Sequence, residues 1–115
     1  MGDDTFIPVR GDIVWTTFSP QRGHEERGRR PAIVLSKRSY NERSGLALVC
    51  PITSRVKGYP FEVPIKLKKI MGVALADQVR SIDWRARDVK LIETLDKKSL
   101  RDIARIAAAL ITTEE

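Results

Sequence analysis

The chain has one cysteine, one histidine and few aromatic residues, 6% of 115. The lone cysteine, Cys50, allows no internal disulfide and points to a reducing compartment. One cysteine and one histidine, His24, cannot build a zinc site of the usual kind. The seven glycines form neither a GxGxxG nor a GxxxxGK[ST] pattern, which excludes the common nucleotide cradles. The longest apolar runs, such as 103–111, are too short or too charged to span a membrane. The opening Met1-Gly2-Asp3-Asp4 is acidic and no apolar stretch follows it, so no signal peptide is expected. These absences predict a cytoplasmic protein with no zinc site of the usual kind and no cofactor.

What is present is a soluble balance of 42% hydrophobic and 31% charged residues. The length fits a single domain over residues 1–115. A chain of this size buries roughly two-thirds of its unfolded surface, enough for a core without cross-links. Lys and Arg number 21 against 15 acids, a net charge of +6. The surplus is local. Residues 21–58 hold nine bases and three acids, whereas residues 1–20 are net negative and residues 94–115 neutral. A basic stretch of this kind favours an anionic partner, with nucleic acid the leading candidate.

Residues 12–18, 31–36, 46–53, 61–65, 72–79 and 89–93 read as short strands, rich in β-branched residues and separated by turn signals. Pro64 predicts an edge or a bulge. The period then changes. Leu100, Ile103, Ala104, Ala107, Leu110 and Ile111 recur at three and four, predicting one amphipathic helix of about four turns. Asp96 stands where its carboxylate can cap the first turn. The pattern predicts a mainly β domain, a small barrel or compact sheet, with a C-terminal helix packed on it or on a partner.

Three clusters carry candidate chemistry. Arg22-Gly23-His24-Glu25-Glu26-Arg27-Gly28-Arg29-Arg30 packs cations, carboxylates and the only His into a loop of about twelve residues. It reads equally as a solvated charged loop or as a phosphate grip, since guanidinium forks fit phosphate oxygens. Thr53 and Ser54 end a strand with two hydroxyls that can donate to an oxyanion, or that terminate the strand. Asp77 and Gln78 fall within an apolar strand, where polar groups need partners. Asp77 is expected to be structural, and Gln78 to be either structural or a reader of base edges. Trp15, in a strand, is expected to fill core. Trp84 is expected to pack in the core or an interface, and Cys50 to be a small buried hydrophobe.

In unbroken order, Gly11-Asp12-Ile13-Val14-Trp15, Phe18-Ser19-Pro20, Gly23-His24-Glu25 and Gly28-Arg29-Arg30-Pro31-Ala32-Ile33-Val34-Leu35-Ser36 resemble the MazF/PemK toxins. The likeness continues through Tyr40-Asn41, Pro51-Ile52-Thr53, Lys57-Gly58-Tyr59-Pro60-Phe61-Glu62-Val63, residues 72–79 and residues 81–87. The resemblance implies an SH3-like barrel of about five to seven strands with a C-terminal helix. It implies a homodimeric, metal-independent endoribonuclease that cuts single-stranded RNA, with mRNA the expected target, at short sequences. It also implies a cognate antitoxin with a disordered acidic tail that blocks the RNA groove.

By the same resemblance, Arg30 matches the family's catalytic Arg before Pro, Thr53 the catalytic Thr after Pro-x, and Glu25 a loop acid near the site. His24 and Asp77 match positions proposed as base and acid in PemK-like members. Those members also use an Arg two residues before that Asp, where this chain has Leu75; the departure favours Arg30 and Thr53. Arg22, Arg27, Arg29, Ser54, Arg55, Lys57, Tyr59 and Gln78 are expected to hold RNA. The implied chemistry is attack of the ribose 2′-OH on the adjacent phosphate, leaving 2′,3′-cyclic phosphate and 5′-OH ends. Two rival readings are a non-catalytic nucleic-acid-binding barrel and a CcdB-like gyrase poison. The second is disfavoured because such poisons end near an essential Trp, and both tryptophans here are internal.

Overall fold

The central strands are apolar on both faces, because each face meets a different core. In the computed structural model, which describes residues 6–17 and 29–114, Ile13, Ile33, Cys50 and Ile52 enter one cluster. Val14, Ala32, Val34, Ala47 and Val49 enter the other. Successive strand residues point to opposite faces, so a strand buried on both sides reads as a continuous apolar run. The strands are β1 (Asp12–Thr17), β2 (Arg29–Val34), β3 (Leu46–Thr53), β4 (Glu62–Lys66), β5 (Met71–Leu75), β6 (Arg80–Asp83) and β7 (Lys90–Thr94). Two helices complete the fold, α1 (Arg38–Ser44) and α2 (Lys97–Thr112). The protein is mainly β, as the sequence predicts, with a curled sheet and a C-terminal helix.

The sheet runs β4-β5-β3-β2-β1-β7, and its pairings among the described residues are antiparallel. β3 is the hub. Its first half pairs with β6 and its end pairs with β5 through Ile52↔Ala74 and Thr53↔Val73. Its middle pairs with β2. Pro64 sits on β4 at the end of the strand order, as the missing N–H requires. α2 lays Ile103, Leu100 and Ile106 against the first core, and Asp96 caps it by accepting from Ser99 N–H at 2.9 Å. Leu110 and Ile111, expected on the packed face, are exposed instead because the helix runs past the sheet it covers. No helix among the described residues is long and apolar enough to cross a membrane.

Several expectations need correction. β2 does not begin at Pro31, because the ladder with β1 continues through Thr16↔Arg30 and Thr17↔Arg29. Trp15 does not fill core. It is 37% exposed, because it points to the face opposite the buried Val14 and Thr16, between Pro31 and Lys90. The expected strand over 72–79 is two pieces. A turn closed by Gln78 N–H to Leu75 O, 3.0 Å, ends β5, and β6 then starts at Arg80. Helix α1 is an addition, held by Asn41, which is fully buried. The Asn41 side chain donates to Pro8 O at 2.7 Å and Ser36 O at 3.2 Å and accepts from the Ser36 hydroxyl. The Asn41 backbone carbonyl accepts from Trp84 Nε1 at 2.9 Å, so Trp84 packs inward as expected.

Candidate active site

Two strand ends and one hairpin turn enclose a cleft of about 480 Å³, lined by Arg30, Pro31, Ile52, Thr53, Ser54, Arg55, Lys69, Ile70 and Met71. Arg30 is fixed by ladder pairing on β2 and not carried on a loose loop. Thr53 is the last residue of β3. Its hydroxyl oxygen accepts the Arg55 N–H at 3.1 Å. A hydroxyl used as an acceptor in this way still has its proton to donate. The lining holds three cations, Arg30, Arg55 and Lys69, and no carboxylate. None of the three is in an ion pair among the described residues. The cleft is therefore an electropositive recess with the Thr53 and Ser54 hydroxyls at its strand end.

The surrounding chain is braced. The Glu62 carboxylate accepts from Gly58 N–H at 2.9 Å and from Lys57 N–H at 3.2 Å, closing the segment after β3. The rings of Tyr59 and Phe61 stack at 5.2 Å between centroids. Arg87 Nη1 donates to Thr17 O at 2.6 Å and pins the end of β1. The Arg85 guanidinium lies 4.7 Å over the Trp84 ring. Gly72, on β5, has φ +151, and a Cβ there would meet the Thr53 backbone.

The structure thus brings together Arg30, Thr53, Ser54 and Arg55 from the expected set. Lys57 and Tyr59 are exposed on the adjoining segment and do not line the cleft, and Arg29 is exposed on β2. Asp77 and Gln78, expected within a strand, lie in and beside an exposed turn and do not line the cleft, because β5 ends at Leu75. Arg22, His24, Glu25 and Arg27 lie outside the described residues. Cys50 is fully buried in the first core, as expected of a small hydrophobe. Burial, with the Asp77 charge second, pushes its thiol up to about 12. Among the described residues no three His, Cys, Asp or Glu side chains gather where a metal could sit.

Sequence reasoning missed Lys69, Glu62 and Gly72. The signal for Lys69 was the Lys66-Leu67-Lys68-Lys69 run, which alone reads as a solvated turn. For Gly72 there was none, since its neighbour Thr53 is distant in sequence.

Residues 9–111 match the family described as PemK-like, MazF-like toxin of type II toxin–antitoxin system. The chain is similar to the endoribonuclease toxin MazF of Escherichia coli K12, with 51% identity over 82 residues, 71% of this chain and 74% of that one. It is also similar to the crystal structure of MazF from Deinococcus radiodurans, with 44% identity, a TM-score of 0.83, and coverage of 92% of this chain and 97% of that one. A MazE–MazF crystal structure from the same organism superposes with a TM-score of 0.82 at 38% identity, covering 95% and 99% of the two chains.

Proposed function

This chain belongs to the PemK-like, MazF-like toxins of type II toxin–antitoxin systems, and we propose that it is an endoribonuclease toxin whose cleft between Arg30 and Thr53 cuts single-stranded RNA. The observation that carries this reading is the convergence of Arg30 and Thr53, from neighbouring strands, on one recess that holds no carboxylate.

The ribose 2′-OH attacks the adjacent phosphorus and the 5′-oxygen leaves, giving a 2′,3′-cyclic phosphate and a 5′-OH. Negative charge grows on the non-bridging oxygens. The Arg30 fork and the Thr53 proton meet that charge as preorganised donors. An arginine guanidinium keeps its proton at working pH, so Glu25 or His24 is the easier base for the 2′-OH. Arg30 and the Thr53 hydroxyl stabilise the transition-state charge with no call on a metal ion. DNA lacks the nucleophile and resists cleavage. Single strands suit the site because bases splay and the phosphate aligns for in-line attack.

The similar Deinococcus structure is a complex of MazF with MazE. By that likeness a cognate antitoxin binds this chain, its acidic tail competing with RNA for Arg30, Arg55 and Lys69. Exposed Leu91 on β7, at the end of the strand order, with Leu110 and Ile111 on α2, supports a homodimer. The cytoplasm is the compartment where such a toxin meets mRNA.

Mapping 5′-OH ends on a long RNA in excess EDTA tests the reading. Wild type is expected to produce new ends, and Arg30→Ala or Thr53→Ala to lower the rate by about 10²–10³. No new ends, with Arg30→Ala equal to wild type, leaves only the non-catalytic RNA-binding barrel.

A further inference from the structure

Lys69 stands in the turn of the β4–β5 hairpin, and that turn is closed on itself, anchored in the core and tied to β7. Lys66 pairs with Met71 at the hairpin's base. Leu67 N–H donates to Ile70 O at 2.9 Å and closes the turn. Ile70 is anchored in the first core, and Lys69 N–H donates to Glu93 Oε2 at 2.5 Å, tying the turn to β7. A solvated lysine turn needs none of this. The Lys69 ammonium makes no ion pair among the described residues, yet Lys69 lines the cleft that Arg30 and Thr53 share.

Its chemistry differs from theirs. Arg30 offers a planar fork and Thr53 a single donor, both suited to an oxygen whose position is fixed. An ammonium on a flexible stem is a strongly hydrated point charge, which holds a phosphate without dictating its geometry. In the sheet β3 stands between this hairpin and β2, so Lys69 and Arg30 reach the cleft from different strands. We propose that Lys69 binds a phosphate flanking the scissile one and so sets the register of the RNA strand in the cleft. The assignment rests on the endoribonuclease reading and deepens it. Lys69 takes no part in bond making; it fixes which phosphate reaches Arg30 and Thr53.

The test is binding of a ribo-oligonucleotide spanning a mapped cut, with a 2′-deoxy residue at the scissile position so that it stays intact. Kd is titrated against NaCl, and cleavage of the all-ribo strand is measured in parallel. A lost phosphate contact on single-stranded RNA lowers the slope of log K against log salt by about 0.7. Lys69→Gln is expected to show that drop, to raise Kd and KM several-fold at low salt, and to keep kcat within about threefold of wild type. Lys69→Arg is expected to restore binding. Lys68→Gln, an exposed neighbour outside the lining, is expected to match wild type.

A wild-type salt slope in Lys69→Gln, or an equal loss in Lys68→Gln, overturns the assignment. So does a fall in kcat with Kd unchanged, which would place Lys69 in the chemistry. Failure of the broader reading looks different: there the wild-type protein itself leaves the all-ribo strand uncut.

Discussion

Gly72 and the carbonyl of Thr53 meet so closely that a Cβ on residue 72 would stand 2.2 Å from that oxygen. The contact falls where β5 joins the end of β3, so the glycine seats the strand end that carries the Thr53 hydroxyl. Gly72→Ala must push the two strands apart or twist β5 out of φ +151, a backbone conformation that suits glycine. A displacement of about 1 Å at a reacting group can cost on the order of 10² in rate. We expect Gly72→Ala to lower kcat by about that factor with KM little changed. Steady-state cleavage of a fluorogenic RNA reads both, and a variant with wild-type kcat refutes the seating role.

Cys50 lies fully buried, its thiol pushed up to about 12 by burial. A thiol that stays protonated reacts slowly with disulfide reagents. Native protein is therefore expected to leave Ellman's reagent uncoloured at pH 8 for hours, and to react with one equivalent once denatured. Fast reaction of the folded protein contradicts this placement.

Asn41 makes its polar contacts entirely inside the protein. Asn41→Asp replaces a donor to two carbonyls with an acceptor, leaving Pro8 O and Ser36 O facing a carboxylate. Each buried group left unsatisfied costs about 1–3 kcal/mol, so a loss of at least about 2 kcal/mol is expected from urea unfolding midpoints. A change below about 0.5 kcal/mol would mean that the network opens to water.

Asp96 caps α2, and the Ser99 N–H, with the Ser99 hydroxyl second, holds its carboxyl below the usual carboxylate range. A depressed folded-state pKa stabilises the fold above the unfolded value of 3.8 and loses that contribution as pH falls through the folded one. Asp96→Ala is expected to lose about 1 kcal/mol at pH 7. The gap from wild type should narrow as pH drops below 3.8, measured by urea titration at each pH. Asp12 works in the opposite sense. Burial raises its carboxyl, against the Val9 N–H, so its contribution is present at low pH and fades as pH rises through its folded value.

The strands and α2 were legible because their apolar residues alternate or recur in register with the backbone, and Asp96 marked the helix start. β3 was readable to the residue, since Gly45 and the polar pair Thr53-Ser54 bound an unbroken apolar run. α1 was not legible: its one buried side chain is Asn41, a polar residue that no hydrophobic period reveals. β6 was hidden because only Ile82 among its four residues is buried, and the turn before it has neither Gly nor Pro. Arg30 and Thr53 stood out only through the family resemblance of the residues around them, since their clusters alone read as well as a solvated loop and a strand end. Lys69 could not, because its place in the cleft depends on Glu93, 24 residues away.

The strand that completes the sheet comes late in the chain. β1 waits for β7, with Asp12 paired to Thr94, and the Lys69 turn waits for Glu93. Pairings across such distances are slow to close, and synthesis delivers the N-terminal residues first. A nascent chain that has already exposed Arg30 and Thr53 still lacks the strand that ties down the far wall. Ribosome-bound fragments shorter than 93 residues thus lack the Glu93 contact that ties the Lys69 turn to β7. Translation of a message for such a protein runs most of its course before the product can turn on RNA.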